Sequence, residues 1–227
     1  MEESGTIPCT SLSAGFMELQ RSVALKQHSY RPMPLLPRIV LASTSPRRQA
    51  LLRQMGADFI VVPPRAEEDS IPGEPPAELV RRLSLDKARS VPSQPGAGVI
   101  LGSDTVVVLD GRILGKPTDP DDARHMLRSL SGRAHVVFTG YALIDTASGQ
   151  TEVGHVETTV TFRELGVDEI DHYVDSGSPM DKAGAYGIQD DFGAVFIERI
   201  DGDYYTVVGL PLCHVYQALR RFAQEHA

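Results

Sequence analysis

The run Val99 to Leu109 reads VILGSDTVVVL, apolar at both ends with Gly-Ser-Asp-Thr in the middle. A continuous apolar run of strand length reads as a strand buried on both faces, in the interior of a sheet. Asp104-Thr105 interrupts it, so the expectation is a strand over Val99 to Ser103 that breaks and resumes over Val106 to Leu109. An ionised carboxylate there is costly unless it faces a cleft, a metal or a cation. The competing reading is a buried aspartate satisfied by neighbouring backbone N–H groups. Perturbed acids in clefts mark active sites, which makes Asp104 the leading catalytic candidate.

A second stretch points to an anion. Ile39 to Ala42 reads as a short buried strand, and Ser43-Thr44-Ser45-Pro46-Arg47-Arg48 follows. Ser45 suits a helix N-cap and Pro46 the first helical position, where a missing N–H is not needed. Arg47 and Arg48 then fall in the first turn, against the helix dipole. Two arginines beside free backbone N–H groups and serine hydroxyls suit a polyanion, most simply a phosphate chain. A solvated helix start with two surface arginines is the bland alternative.

The rest of the chain alternates strands and helices. Pro46 to Met55 reads as a helix stopped by Gly56, and Phe59 to Val62 as a strand. An acidic, proline-rich loop with Glu67, Glu68 and Asp69 precedes a helix from Pro76 to Arg89. Asp110-Gly111 is a hairpin signal, with Ile113-Leu114 returning. Thr118, with Asp121 three residues on, reads as the cap of a helix running to Leu130. Long strands are expected over His135 to Asp145 and Thr151 to Phe162, and a helix from about Asp168 to Ser176. Ser178 to Asp191 reads as irregular and mobile, Ala194 to Ile200 as a strand. Pro211 opens a last helix with Val215, Leu219 and Phe222 on one face. The central hairpins predict an α/β protein with a mixed rather than purely parallel sheet.

Charge and cysteine content narrow the partners. The net charge is −8, whereas a general nucleic-acid binder is usually basic, so any anion site must be a local cationic pocket. No apolar run approaches the roughly 18 residues of a membrane span. Two cysteines, Cys9 and Cys213, make neither a disulfide framework nor a zinc ribbon, which fits a reducing, cytoplasmic compartment. The seven histidines show no HExxH spacing. Residues 1–36 carry scattered Ser, Gly and Pro without a sustained period, and read as a disordered extension before a single domain over 37–227.

Arg47, Arg48, Lys87, Lys116 and Lys182 fall at element ends or in loops. Glu68 and Asp104 are oxygen donors of the kind Mg²⁺ takes, with substrate phosphates and water completing its shell. Cations around a carboxylate-bound metal are what phosphoryl transfer requires, since the work there is positioning and charge neutralisation. Gly111 to Lys116, GRILGK, is not a P-loop: it is one residue short between its glycines, and Pro117 stands where Ser or Thr should be. Gly96, Gly98 and Gly102 lack the dinucleotide spacing.

LASTSPRR, GSDTVV with a following Gly-Lys-Pro, LSGRAHVVFTG and PMDKAGAYGIQ occur in that order. Together they closely resemble the Maf family of nucleoside triphosphate pyrophosphatases, over about Arg38 to Phe222. Gly115 departs from the family, many of whose members carry Glu before the lysine. The resemblance implies an elongated mixed β-sheet flanked by helices, with two lobes and a central cleft. It also implies hydrolysis of a nucleoside triphosphate to monophosphate and pyrophosphate with a divalent metal cation, Mg²⁺ or Mn²⁺. By position, Asp104 matches the proposed general base, and Ser43, Arg47, Arg48, Glu68, Lys87, Lys116 and Gln189 match the remaining cleft residues. A homodimer fits the resemblance.

Within that family, members acting on dTTP and UTP typically carry Arg, Thr and Gln at three positions, here Arg47, Thr105 and Gln189. A glutamine offers an acceptor to the pyrimidine N3–H and a donor to O4. The expected substrates are therefore dTTP and UTP, with modified pyrimidine nucleotides and CTP beside them. The resemblance also allows an alternative, a nucleotide-binding regulator of cell division and septum formation without turnover, since binding alone needs the same phosphate pocket.

Overall fold

In a computed structural model, Val99–Leu109 forms one continuous strand. The structure describes residues 36–225 except 67, 68, 70, 95, 190 and 191, so the extension expected over 1–36 lies outside the described residues apart from Leu36. The break expected at Asp104-Thr105 does not occur. Asp104 pairs with Gly140, and Thr105 with Thr139, in an antiparallel ladder. A polar side chain leaves its backbone free to pair; it changes only where the side chain must find partners.

The strands in chain order are β1 (Ile39–Ala42), β2 (Phe59–Val61), β3 (Val99–Leu109), β4 (Arg112–Leu114), β5 (Ala134–Asp145), β6 (Thr151–Phe162) and β7 (Ile197–Asp201). They form a seven-stranded sheet in the order β2-β1-β3-β5-β6-β7, with β4 beside β3. β1 runs parallel to β2 and β3, and every other pairing is antiparallel. Helices α1 (Pro46–Gln54), α2 (Pro76–Arg89), α3 (Pro120–Leu130), α4 (Val167–Asp175), α5 (Tyr204–Val208) and α6 (Leu212–Glu225) flank it. The expected α/β class and mixed sheet are both present. Among the described residues no helix is long and apolar enough to cross a membrane.

β3 organises the molecule. One edge is covered by β5 from Val99 to Val108. The other edge is divided: β1 pairs with it as far as Gly102, and β4 from Val107 to Leu109. Among the described residues Ser103–Val106 therefore has no strand partner on that edge, and side chains from both faces reach the opening. Strand alternation sorts the rest. Val99 and Leu101 join a core with Leu51 and Leu52 of α1 and Val215, Leu219 and Phe222 of α6. On the same face, Val107 and Leu109 join a second core with Leu127 and Leu130 of α3 and Ile170 and Tyr173 of α4. These cores are the two lobes, and the polar pair Ser103 and Thr105 lies between them.

The opposite face of β3 takes α2, where Ile100 meets Ala88, and Val106 meets Leu79, Val80 and Leu83. The helix lies almost on bare backbone. A Cβ on Gly102 would sit 2.0 Å from the Ser84 carbonyl oxygen, and one on Gly140 2.2 Å from that of Val80. No side chain fits either gap, so glycine is required at both positions.

Local details differ from expectation. The cap of α3 is Asp119, whose side chain accepts from the Asp122 N–H, while the Thr118 N–H donates to the Asp122 carboxylate. Aspartate in the extended conformation outcompetes the preceding threonine as a cap. The strand expected from Ala194 starts only at Ile197, because Phe192–Phe196 forms a 3₁₀ turn. α5 was not expected, since Tyr-Tyr-Thr-Val-Val favours strand; Asp203 caps it by accepting from the Thr206 N–H. The irregular stretch after α4 is closely packed rather than loose: 3₁₀ turns span Ser178–Asp181 and Ala183–Ala185, and Lys182, Ala185, Tyr186 and Ile188 are buried.

Gly102→Ala and Gly140→Ala should each destabilise the protein by about 2 kcal/mol or more, the scale of overpacking with backbone displacement. Urea unfolding measures this; a loss below about 0.5 kcal/mol would mean that α2 does not depend on the bare strand backbone.

Candidate active site

The cleft lies at the open stretch of β3, beyond the carboxyl end of β1, and encloses about 630 Å³. Open α/β sheets bind ligands at such strand ends. The turn from β1 into α1 supplies one wall. Ser45 caps α1 by accepting from the Arg48 N–H, with Pro46 at its start as expected. Ser43, just past β1, accepts from the Ser45 N–H and from Arg48 Nη1, both at 3.2 Å.

The Arg48 fork is held on three sides. Nε donates to the Gly209 carbonyl at 2.8 Å, and Nη2 to Thr105 Oγ1 at 3.2 Å. Gly209 adopts φ 119° at the end of α5, while the Ser103 hydroxyl beside it donates to the Gly140 carbonyl at 2.8 Å. The polarity of the threonine pair follows from proton count. Thr139 Oγ1 donates to the Thr206 carbonyl at 2.7 Å, and a hydroxyl has one proton. The 2.9 Å contact between Thr105 and Thr139 is therefore donated by Thr105, which presents only lone pairs to Arg48.

On the other face of β3, Lys87 of α2 donates to Asp104 Oδ1 at 2.5 Å. The two side chains are only 7% and 11% exposed, so this is a buried ion pair at the edge of the cleft. It answers the question posed by a carboxylate in an apolar strand: a cation, delivered by a helix packed on Gly102 and Gly140. Asp104 Oδ2 has no hydrogen-bond partner among the described residues, and the residue lines the cleft.

The second lobe supplies the opposite wall. Lys116 is exposed at the cleft, and its loop is tied to the neighbouring turn by a 2.9 Å hydrogen bond from the Gly184 N–H to the Gly115 carbonyl. Gln189 also lines the cleft. Arg47 reaches from α1 to Asp181, with Nη1 2.8 Å from Oδ2 and Nη2 3.2 Å from the backbone carbonyl. Burial raises the Asp181 carboxyl, but hydrogen bonds from Lys182 and Arg47 outweigh it and hold the group below the usual carboxylate range. Lys182 spends its three donors inside its own turn, on the Ser178 carbonyl and hydroxyl and on Asp181. It is a buttress, not a cation offered to a ligand.

Ser43, Arg47, Arg48, Lys87, Asp104, Thr105, Lys116 and Gln189 thus converge on one cleft. Glu68, expected to hold metal, lies outside the described residues. Among the described residues no three His, Cys, Asp or Glu side chains cluster as a metal cage. The open Asp104 oxygen suits a hard cation that takes one protein carboxylate and fills its shell with phosphate oxygens and water. Sequence reasoning missed Asp181, Thr139 and the Gly209 carbonyl, which act on the cleft only through contacts distant in sequence. Five basic and two acidic side chains among the described lining residues give a local positive excess on an acidic chain, as a polyanion pocket requires.

Such a cleft, on a mixed sheet at the end of a parallel strand, defines an α/β protein built to hold a phosphate chain beside a carboxylate. The chain belongs to the Maf family: the family model described as Maf-like protein matches residues 38–222. It is similar to the dTTP/UTP pyrophosphatase of Symbiobacterium thermophilum, 50% identical over 188 residues that cover 82% of this chain and 95% of that protein. The dTTP/UTP pyrophosphatase of Moorella thermoacetica is 48% identical, over 82% of this chain and 96% of its own. That of Thermotoga maritima is 50% identical, over 80% and 88%.

Below the cleft, His135 Nε2 lies 2.7 Å from the hydroxyl of Tyr186, a lining residue. Burial pushes the His135 imidazole down to about 4 from its ordinary 6.5 and raises the Tyr186 hydroxyl. Above about pH 6.5 this histidine is neutral in both states. As pH falls towards about 4 the unfolded chain takes up a proton that the native state refuses, so stability falls. Between about pH 7 and about pH 5 this one group should remove on the order of 1–2 kcal/mol from the unfolding free energy. His135→Gln should flatten that decline in urea titrations at the two pH values. An undiminished decline in the variant would assign the pH dependence elsewhere.

Proposed function

We propose that this protein hydrolyses nucleoside triphosphates to the monophosphate and pyrophosphate, with dTTP and UTP preferred. The observation that carries the proposal is the Asp104–Lys87 pair, which leaves one carboxylate oxygen open at a cation-lined cleft. Membership of the Maf family and similarity to proteins named dTTP/UTP pyrophosphatase support it.

In this reading Arg48 and Lys116 grip the phosphate chain, and Ser43, Thr105 and the Gly209 carbonyl hold the Arg48 fork in place. Preorganised donors of this kind stabilise the charge that develops on the leaving pyrophosphate. Lys87 fixes Asp104 Oδ1 and adds its charge at the same end of the cleft. Asp104 Oδ2 accepts a hydrogen bond from the attacking water and takes its proton as the water oxygen bonds to the α-phosphorus and the bond to the bridging oxygen breaks. A divalent cation would be held by the Asp104 and Glu68 carboxylates, and would supply Lewis-acid polarisation and charge neutralisation. Gln189 pairs with the pyrimidine edge, and Arg47 and Thr105 complete the base-specific set.

The test is pyrophosphate release from dTTP, UTP, CTP, ATP and GTP in the presence of Mg²⁺. Turnover should favour dTTP and UTP. Asp104→Asn should lower it by about 10² or more with the fold retained, the scale of a positioned acid–base group. Gln189→Glu should impair dTTP hydrolysis far more than triphosphate binding, because a carboxylate cannot donate to O4. Tight dTTP binding with no pyrophosphate release would make the protein a nucleotide-binding regulator instead, and equal rates on purines and pyrimidines would remove the specificity assignment.

A further inference from the structure

The two arginines that open α1 adjoin in sequence but face different surroundings. Arg48 is drawn onto β3 and α5, through Thr105 and the Gly209 carbonyl. Arg47 is drawn across the cleft to the second lobe, where Asp181 takes both of its terminal nitrogens, one on the carboxylate and one on the backbone carbonyl. A guanidinium bound in this way contributes direction more than net charge, since the adjacent carboxylate offsets it.

Asp181 is itself held in place. Its other oxygen, Oδ1, accepts from Lys182 Nζ at 2.9 Å. Lys182 is 7% exposed and anchored at 2.5 Å and 3.0 Å to the Ser178 carbonyl and hydroxyl. A buried cation thus supports a carboxylate that in turn supports a cation at the cleft surface. A contact meant only to open and close would not need that support. The chain continues from this turn to Gln189, so one segment both anchors Arg47 and carries the glutamine.

We infer that Asp181 is a positioning residue that sets substrate selectivity: it holds the Arg47 guanidinium towards the nucleobase end of the cleft and keeps it out of the phosphate clamp. The inference rests on the reading of the cleft as a pyrimidine triphosphate site. Without Asp181, Arg47 swings to the phosphates and serves every nucleoside triphosphate alike.

The experiment compares kcat/KM for dTTP and ATP, read as pyrophosphate release, in the parent, Asp181→Ala and Asp181→Asn, with thermal melting of each. Asp181→Ala should lower kcat/KM for dTTP by about two- to fivefold, the scale of one exposed ion pair. Its value on ATP should hold or rise, because the cleft gains positive charge. Asp181→Asn keeps an acceptor oxygen for Arg47 and should fall between. The dTTP-to-ATP ratio is what a merely structural role would not move. Equal losses on both substrates, or equal gains from releasing a latch, would overturn the inference. A selective parent with an equally selective Asp181→Ala variant overturns this inference alone; an unselective parent overturns the pyrimidine reading and this inference with it.

Discussion

The functional geometry depends on an interruption in one edge of β3. β1 stops pairing at Gly102 and β4 starts at Val107, so a short length of a central strand faces an opening instead of a neighbour. In a fully paired sheet, Asp104 and Thr105 would serve opposite faces with no common space. At this opening both reach one cleft. The cores that flank it, one with α1 and α6, the other with α3 and α4, bury their apolar area on either side, and the polar Ser103 and Thr105 of β3 lie between them. The cleft is therefore a consequence of strand register.

The buried Asp104–Lys87 pair shows how the fold accommodates a costly group. Taking both charges out of water is expensive, and good geometry offsets the penalty. That geometry comes from the backbone, because α2 can deliver Lys87 only while Gly102 and Gly140 carry no side chain. Replacing Lys87 would leave the Asp104 carboxylate buried without the cation that faces it, which ties the site's chemistry to the sheet–helix packing.

Much of this was legible in the sequence, for identifiable reasons. Asp104 stood out because a carboxylate in VILGSDTVVVL needs a compensating environment, and the Ser-Pro-Arg-Arg helix start was readable from capping chemistry alone. The convergence of Ser43, Arg48, Lys116 and Gln189 came from motif resemblance, since nothing local says that they meet. What escaped depends on long-range contact. Lys182 read as one more cation near a ligand, yet its donors are spent on Ser178 and Asp181. Nothing in the sequence singles out Asp181, and only the fold brings it to Arg47, 134 residues away in sequence. α5 escaped because five β-prone residues become helical when Asp203 caps them and Gly209 ends them with a positive φ. The supposed break in β3 failed because periodicity reports side-chain environment, and backbone pairing continues beneath it.

The central claim is that Asp104 directs water at the α-phosphorus while the cations hold the departing pyrophosphate. Hydrolysis of dTTP in ¹⁸O-enriched water, with mass spectrometry of both products, tests it most directly. The account predicts label in the thymidine monophosphate alone, with unlabelled pyrophosphate. Label in the pyrophosphate, or release of labelled orthophosphate, would place the attack at another phosphorus and contradict it.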